Sequence, residues 1–265
     1  MNKKVSIIMG VYNCGNTLPE AIDSLLVQTF SDWELIMCDD GSSDDTVDIA
    51  NSYVSKYDNI ILIRNKHNMG LPATLNHCLE YAKSEYIARM DGDDISLPDR
   101  LEKEVLFLDN HPEYALVSGW MTCFDENGDW GEVKRLEYPQ IMDFVKGTPF
   151  CHAPCMMRRS CLNTVGNYSV SEQLRRGQDY YLWYKFYKSG FKGYNIQEPI
   201  YKMRDDRNAA SRRTLRSSFM SFKVEKEIFD GLGIPKVFYY RLLRGIIVSM
   251  IPQPLYILLH KYKNK

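Results

Sequence analysis

Residues 86–104 read YIARMDGDDISLPDRLEKE and place Asp91, Asp93, Asp94 and Asp99 directly after a run with the character of a buried strand. Unit charges about 4 Å apart repel by about 4 kcal/mol at an effective dielectric near 20, so carboxylates gathered at a strand end call for a compensating cation. A hard divalent ion, Mg²⁺ or Mn²⁺, takes oxygens from an Asp-x-Asp and completes its coordination with phosphate oxygens and water. Asp91 and Asp93 are candidate ligands on this reading, Asp93 the stronger, and a plain solvated acidic loop is the alternative. Asp99 reads differently: with Ser96 it has capping-box spacing, which predicts a helix opening there. An EF-hand is excluded because no ligand loop closed by a Glu follows.

A second acidic cluster, CDDGSSDDT at 38–46, also follows a strand-like run. Ser42, Ser43 and Asp44 suit the cap of a following helix, and Gly41 suits a positive φ, so a strand-turn-helix corner explains them. That corner does not require Asp39 and Asp40. Carboxylates there can accept the imide N–H of a uracil or thymine, or a ribose hydroxyl. Neither a P-loop nor a Gly-x-Gly-x-x-Gly after the first strand is present, which disfavours kinases, ATPases and dinucleotide dehydrogenases.

The elements that must position these acids alternate regularly. VSIIMGVY (5–12) is a near-continuous apolar run, as in a strand buried on both faces. NTLPEAIDSLLVQ follows with Thr17 and Glu20 at capping-box spacing and an apolar helical face. Strands at 33–40, 60–65 and 86–91 and helices between them repeat the unit. This pattern predicts an α/β fold with a mostly parallel sheet flanked by helices, whose ligands bind beyond the carboxyl ends of the strands. The clusters YNCGN, DDGSSDD and DGDD all fall at such ends and are expected to line one cleft. Beyond residue 113 a strand-like YALVSGWMTCFDE, a hairpin at 126–128, a loop-rich stretch and a helix over 179–190 complete the reading.

The chain has 265 residues, 45% hydrophobic and 25% charged, enough for one large core. Seven cysteines without a Cys-x-x-Cys pair argue for a reducing, cytoplasmic compartment, and Cys151, His152, Cys155 and Cys161 match no common zinc spacing. The near-zero net charge hides an asymmetry: residues from Arg207 onward carry about +9 and the rest about −10. One domain over 1–206 and a basic, partly apolar helical extension over 207–265 is the economical division.

Five stretches in order, VSIIMGVYNCGNTLPEAIDSLLVQTFSDWELIMCDDGSSDDT, NMGLPATLNHCL, YIARMDGDDISLPDRLEKE, HAPCMMRRSCLNTVGNY and GQDYYLW, resemble the family 2 glycosyltransferases, from about residue 4 to about residue 207. The resemblance implies the GT-A fold and inverting transfer of a sugar from a nucleotide-diphosphate donor, with one metal ion and one base. It implies a nucleotide pocket at Gly10, Val11, Tyr12, Asn13, Asp39, Asp40, Asn68 and Gly70, an Asp-x-Asp at Asp91-Gly92-Asp93, and a base at Asp179. Where the family usually has Glu ahead of that Asp, this chain has Gln178. His152 matches a histidine near the acceptor side, and Arg204 falls where a basic group often lies over the diphosphate. UDP-hexoses are the family's commonest donors, and a saccharide or lipid-linked saccharide is the implied acceptor.

Other classes fit less well. A sugar-nucleotidyltransferase would need a basic Gly-rich loop after the first strand, and GVYNCGNT has no basic residue. A silent binding module would not need the metal acids and Asp179 together, and no nucleic-acid module is recognisable. In the extension, Arg241, Arg244, Lys261, Lys263 and Lys265 with Tyr239, Tyr240 and Tyr256 surround GIIVSMIPQPLYILL. Pro252 and Pro254 interrupt that run, which is too short to cross a bilayer. It suits either a peripheral contact with an anionic inner leaflet or packing on protein, including a second copy.

Overall fold

The computed structural model describes residues 3–174, 177–205 and 215–249. Its first half follows the apolar periodicity. β1 (Val5–Val11), β2 (Trp33–Asp39), β3 (Ile60–Arg64) and β4 (Tyr86–Asp91) alternate with α1 (Leu18–Leu26), α2 (Thr46–Val54) and α3 (Leu71–Tyr81). These strands pair parallel in the order β3-β2-β1-β4, and Gly10 of β1 lies between Cys38 of β2 and Asp91 of β4. The acidic tips of β2 and β4 thus flank the tip of β1 at one edge of the sheet.

The second half departs from simple alternation. A two-residue β5 (Ile95–Ser96) and α4 (Arg100–Asn110) lead into the long β6 (Tyr114–Asp125), which forms a hairpin with β7 (Gly128–Val133). β8 (Met156–Arg158), α5 (Arg159–Val165), α6 (Gln178–Lys188) and β9 (Lys192–Arg204) follow. All the strands join one 9-stranded sheet, ordered β3-β2-β1-β4-β8-β6-β9-β5 with β7 on β6. Parallel pairing resumes at β6 with β9, whereas β8 runs antiparallel to both β4 and β6. The sheet is therefore parallel up to β4 and mixed beyond it.

Two apolar cores flank the sheet. One joins α1, α4 and the inner faces of β1, β2 and β4 through Leu18, Ile22, Leu101 and Leu108; the other joins α3, α6 and the outer helices through Leu75, Trp183, Phe186 and Phe150. α7 (Leu215–Gly231) adds Val224, Ile228 and Phe229 to the second core, and a 3-10 turn (Lys236–Leu242) before α8 (Leu243–Ser249) adds Leu242. The described part of the extension thus packs on the second core. Lys261, Lys263, Lys265, Tyr256, Pro252 and Pro254 lie outside the described residues. Among the described residues no helix is long and apolar enough to cross a membrane.

Neither capping box forms. Thr17 Oγ1 donates instead to the carbonyls of Cys14 and Gly92, and Glu20 pairs with Arg204 across the cleft. Ser96 is held by Gln28, and Asp99 stands at the head of α4 without a side-chain cap, paired with Lys103 at 2.7 Å. For Thr17, Glu20 and Ser96, tertiary partners outcompete the local caps while joining distant elements, whereas Asp99 is taken by a lysine one turn along its own helix.

Candidate active site

The acid loop between β4 and β5 is the centre of the site. One carboxylate oxygen from each of Asp91, Asp93 and Asp94 lies within 4.8 Å of the others. Asp94, which the spacing argument passed over, is the buried member, and Asp93 is the exposed one. Desolvation by the surrounding walls, with repulsion from Asp91, raises the pKa of Asp93; the same causes, with Asp93 added, raise that of Asp94. Like charges held together at this cost fit a hard divalent cation: the donors are all oxygen, and Asp93 opens to solvent.

Four contacts fix the loop. Gly92 is buried where a Cβ would lie 3.0 Å from Cys14 Sγ and 3.1 Å from Val11, so glycine lets the loop rest on the tip of β1. The backbone N–H of Asp91 donates to Tyr201 Oη at 3.2 Å. The backbone N–H of Arg204 donates to Asp94 Oδ1 at 2.7 Å, and Arg204 Nε donates to the Asp93 carbonyl at 2.9 Å. Arg204, expected near the diphosphate, is thus placed at the loop with its guanidinium shared between Asp93 and Glu20.

Beneath the loop sits Arg89, a residue the motif reasoning missed. It is 3% exposed, it pairs with Asp91, and its Nε has no hydrogen-bond partner. Its charge also pulls down the carboxyl pKa values of Asp93, Asp94 and Asp179 and the pKa of His152. The signal was present: an arginine within a strand whose other residues are apolar up to Asp91 must be paired, and the acid stands two residues on, on the same face.

The base candidate lies on the second half of the fold. Asp179 occupies the first turn of α6, where the helix dipole favours its charge. Desolvation nevertheless raises its pKa, against the opposing effects of its local backbone N–H groups, Arg89 and Arg135. Gln178 precedes it with a buried Oε1 that has no partner among the described residues. His152 Nε2 shares a 2.9 Å hydrogen bond with Tyr168 Oη, and its ring lies 6.0 Å from that of Trp183. Burial and the charge of Arg89 lower the pKa of His152, so it is neutral at neutral pH.

The residues that the family resemblance places at a nucleotide divide into two groups. Tyr12 is 51% exposed, and Asn13, with φ 49°, is tied to the β2 loop through Ser42 Oγ at 2.9 Å and the N–H of Ser43 at 2.8 Å. Asn68 is exposed as well. Val11, by contrast, is core. Asp39 is buried, accepting the Ser42 N–H and lying 3.3 Å from Arg64 Nε. Asp40 spends both oxygens inside the protein: Oδ1 accepts from Asn65 Nδ2 and Met69 N–H at 2.8 Å each, and Oδ2 from Gly70 N–H at 2.9 Å. Gly70 can present that N–H because it adopts φ 84° at the head of α3. Asp40 therefore shapes the 68–70 loop. Asp44, which accepts from Thr46 and from the N–H of Gly15, ties the start of α2 to the β1 loop.

Comparison with known proteins places this architecture. The family described as "Glycosyl transferase family 2" matches residues 6–166, a span that includes the acid loop and ends before Asp179. The chain is 44% identical over 250 residues, 94% of its own length and 90% of the relative's, to EpsE of Bacillus subtilis (strain 168), which bears a glycosyltransferase designation. It is 30% identical over 256 residues, 94% of this chain and 92% of the relative, to an Escherichia coli protein named UDP-Gal:alpha-D-GlcNAc-diphosphoundecaprenol beta-1,3-galactosyltransferase. A solved mannosyltransferase, PcManGT from Pyrobaculum calidifontis in complex with GDP-Man and Mn²⁺, superposes with a TM-score of 0.67 at 18% identity, covering 99% of this chain and 74% of that one. With the acid loop at the sheet edge, the GT-A-like layering and these matches together, the chain belongs to glycosyl transferase family 2.

Proposed function

We propose that the protein is a metal-dependent, inverting hexosyltransferase. It moves a hexose or N-acetylhexosamine from a UDP-sugar to a hydroxyl of a lipid-linked saccharide, in the assembly of a surface polysaccharide. The observation that carries this reading is the convergence of Asp91, Asp93 and Asp94 within 4.8 Å at the edge of the parallel strands, with Asp179 under the influence of the same Arg89. The names of the Escherichia coli galactosyltransferase and the Mn²⁺-bound mannosyltransferase support the donor, acceptor and metal classes.

In this mechanism Asp93 and Asp91, with Asp94 beside them, hold Mn²⁺ or Mg²⁺. When bound, the ion stabilises the negative charge that grows on the departing nucleotide diphosphate. Tyr12, Asn13 and Asn68 face the nucleotide, and Asp39 and Asp40 hold the loops that carry them. Asp179 accepts the proton of the acceptor hydroxyl while that oxygen attacks the anomeric carbon from the face opposite the leaving group, so the configuration inverts. The rigid seat of Asp179 at the head of α6 supplies the orientation.

Thermal unfolding tests the donor side. UDP with Mn²⁺ at a hundred times its dissociation constant should add about 2.7 kcal/mol of stability to the wild type, and Asp93→Ala should abolish that gain. GDP, CDP and dTDP run in parallel identify the base. If no nucleotide stabilises the protein with metal present, the transferase reading fails.

The proposed catalytic unit is 1–206, and the basic extension from 207 is its membrane-facing part. Val237, Tyr240, Leu243 and Ile247 are exposed, with Lys236, Arg241 and Arg244 exposed beside them. Basic residues near an anionic leaflet contribute about 1 kcal/mol each. Arg241→Gln/Arg244→Gln should weaken sedimentation with anionic vesicles by about tenfold or more, with neutral vesicles unaffected. An unchanged partition, or a salt-insensitive dimer in its place, would reassign this face to protein packing.

A further inference from the structure

We infer that residues 134–146 form a docking strap for the diphosphate and hydrocarbon tail of a lipid-linked acceptor, an assignment that rests on the transferase reading above. The segment leaves β7 and runs without strand pairing to the 3-10 turn Ile141–Lys146. Its backbone is nevertheless held along its length. Trp120 Nε1 and Gln197 Nε2 donate to the Arg135 carbonyl at 3.2 Å, and Asn195 Nδ2 donates to that of Leu136 at 2.7 Å. The Asn195 N–H donates to the Glu137 carbonyl at 3.0 Å, Tyr187 Oη to that of Pro139 at 2.7 Å, and Tyr180 Oη to that of Phe144 at 2.5 Å.

A segment anchored this firmly would be expected to bury its apolar side chains, and this one does not. Leu136 and Tyr138 are 52% and 54% exposed, and Ile141 and Met142 are 40% and 41% exposed. Between them Glu137 and the Tyr138 ring both meet Tyr194, the two rings edge-on at 5.3 Å, and Pro139 is buried, so Leu136 faces outward and Tyr138 keeps one face exposed. Exposed apolar groups on a fixed backbone mark an interaction surface, because no local collapse can cover them.

The charge at one end selects the occupant. Arg135 lies near enough to Asp179 for its charge to oppose the burial that raises the Asp179 pKa, and its buried Nε has no hydrogen-bond partner among the described residues. Arg135 is only half-buried, so its guanidinium can also meet a ligand, and a phosphoryl oxygen makes a strong charge-assisted hydrogen bond with such a group. An anionic head beside the base, continuous with an apolar strip leading away from it, matches a saccharide diphosphate on a long hydrocarbon chain. Such a ligand presents its sugar hydroxyl to Asp179 while the tail lies over Leu136, Tyr138, Ile141 and Met142.

Calorimetric binding of farnesyl diphosphate and of inorganic diphosphate, with the donor site filled by UDP and Mn²⁺, tests the strap. The wild type should prefer farnesyl diphosphate by about tenfold or more, given the area its tail buries. The exposed-site variant Leu136→Ser/Ile141→Ser/Met142→Ser should lose that preference and bind inorganic diphosphate as before. Arg135→Gln should weaken both ligands, and Arg135→Lys should restore part of the loss. Farnesyl diphosphate binding unchanged in the triple variant overturns the proposal. So does binding of phosphatidylglycerol vesicles without diphosphate lipid that falls equally in the same variant, since the strip would then be a general membrane contact. Stabilisation by UDP and Mn²⁺ is scored separately in every variant: its absence from the wild type sinks the transferase reading, whereas loss of tail dependence alone sinks the strap.

Discussion

Asp179→Asn should lower kcat by about 10² to 10⁴-fold, the range that a positioned general base supplies, while the stabilisation by nucleotide and metal stays within a few tenths of a kcal/mol of wild type. Asparagine keeps the volume and the contact with the first turn of α6, and it removes the basic oxygen. The pH profile adds a second check. Because burial raises the pKa of Asp179, the rate should rise with pH through an inflection above the ordinary carboxylate range and level off once the residue is ionised. Arg89 and Arg135 oppose that shift, so Arg135→Gln should move the inflection upward. Full activity in Asp179→Asn, or loss of nucleotide binding equal to the loss of rate, would remove Asp179 from the role of base.

The second large effect is on stability and lies one layer below the acids. Arg100 and Glu104 are both fully buried on α4, paired at 3.1 Å, and Arg100 also donates to the Arg89 carbonyl at 2.8 Å. Its guanidinium lies 5.2 Å from the centre of the Tyr201 ring. Arg100→Met should cost about 1 to 3 kcal/mol in urea unfolding at neutral pH, because it leaves the buried Glu104 carboxyl and the Arg89 carbonyl without their donor. Burial pushes the Glu104 carboxyl up to about 8 in the folded protein even with Arg100 beside it. A raised carboxyl pKa stabilises fully below the unfolded value near 4.5 and loses that contribution as pH climbs through the folded value. Without Arg100 the folded value rises further, so the variant should keep losing stability above pH 8. Replacing both partners, Arg100→Met/Glu104→Leu, should recover much of the loss and flatten the profile. A single variant that costs less than about 1 kcal/mol would show that the pair is not holding α4 under the site.

The parallel half of the fold was legible because its signals are local. β1, β2 and β4 are buried on both faces, so each is a near-continuous apolar run, interrupted only by Ser6, Glu34 and Arg89, and each is followed by polar residues that mark the carboxyl edge. The antiparallel strands are not legible in this way. β5 has 2 residues and β8 has 3, and both are strands only because partners far along the chain supply their hydrogen bonds. β9 carries Pro199 and several polar residues, and it owes its length to β6. The same division runs through the site. The acid loop could be read from the spacing of its carboxylates, whereas the 68–70 turn and Asp179 came from the resemblance to the family. Arg89 with Asp91 was legible too, two residues apart on one strand face, but the burial of Asp94 under Arg204 and the capture of Glu20 by Arg204 depend on contacts between residues far apart in sequence.

That separation has a consequence for when the protein becomes an enzyme during its own synthesis. The contacts from Tyr201 and Arg204 that fix Asp91, Asp93 and Asp94 span 110 or 111 residues. At translation speeds of about 5 to 20 residues per second, the loop spends roughly 5 to 20 s outside the ribosome before its last partners follow. The parallel half can fold in that interval with its carboxylates unbraced. The final strand therefore acts as a latch on a nearly finished chain, and products cut short before residue 201 carry the motif without the geometry.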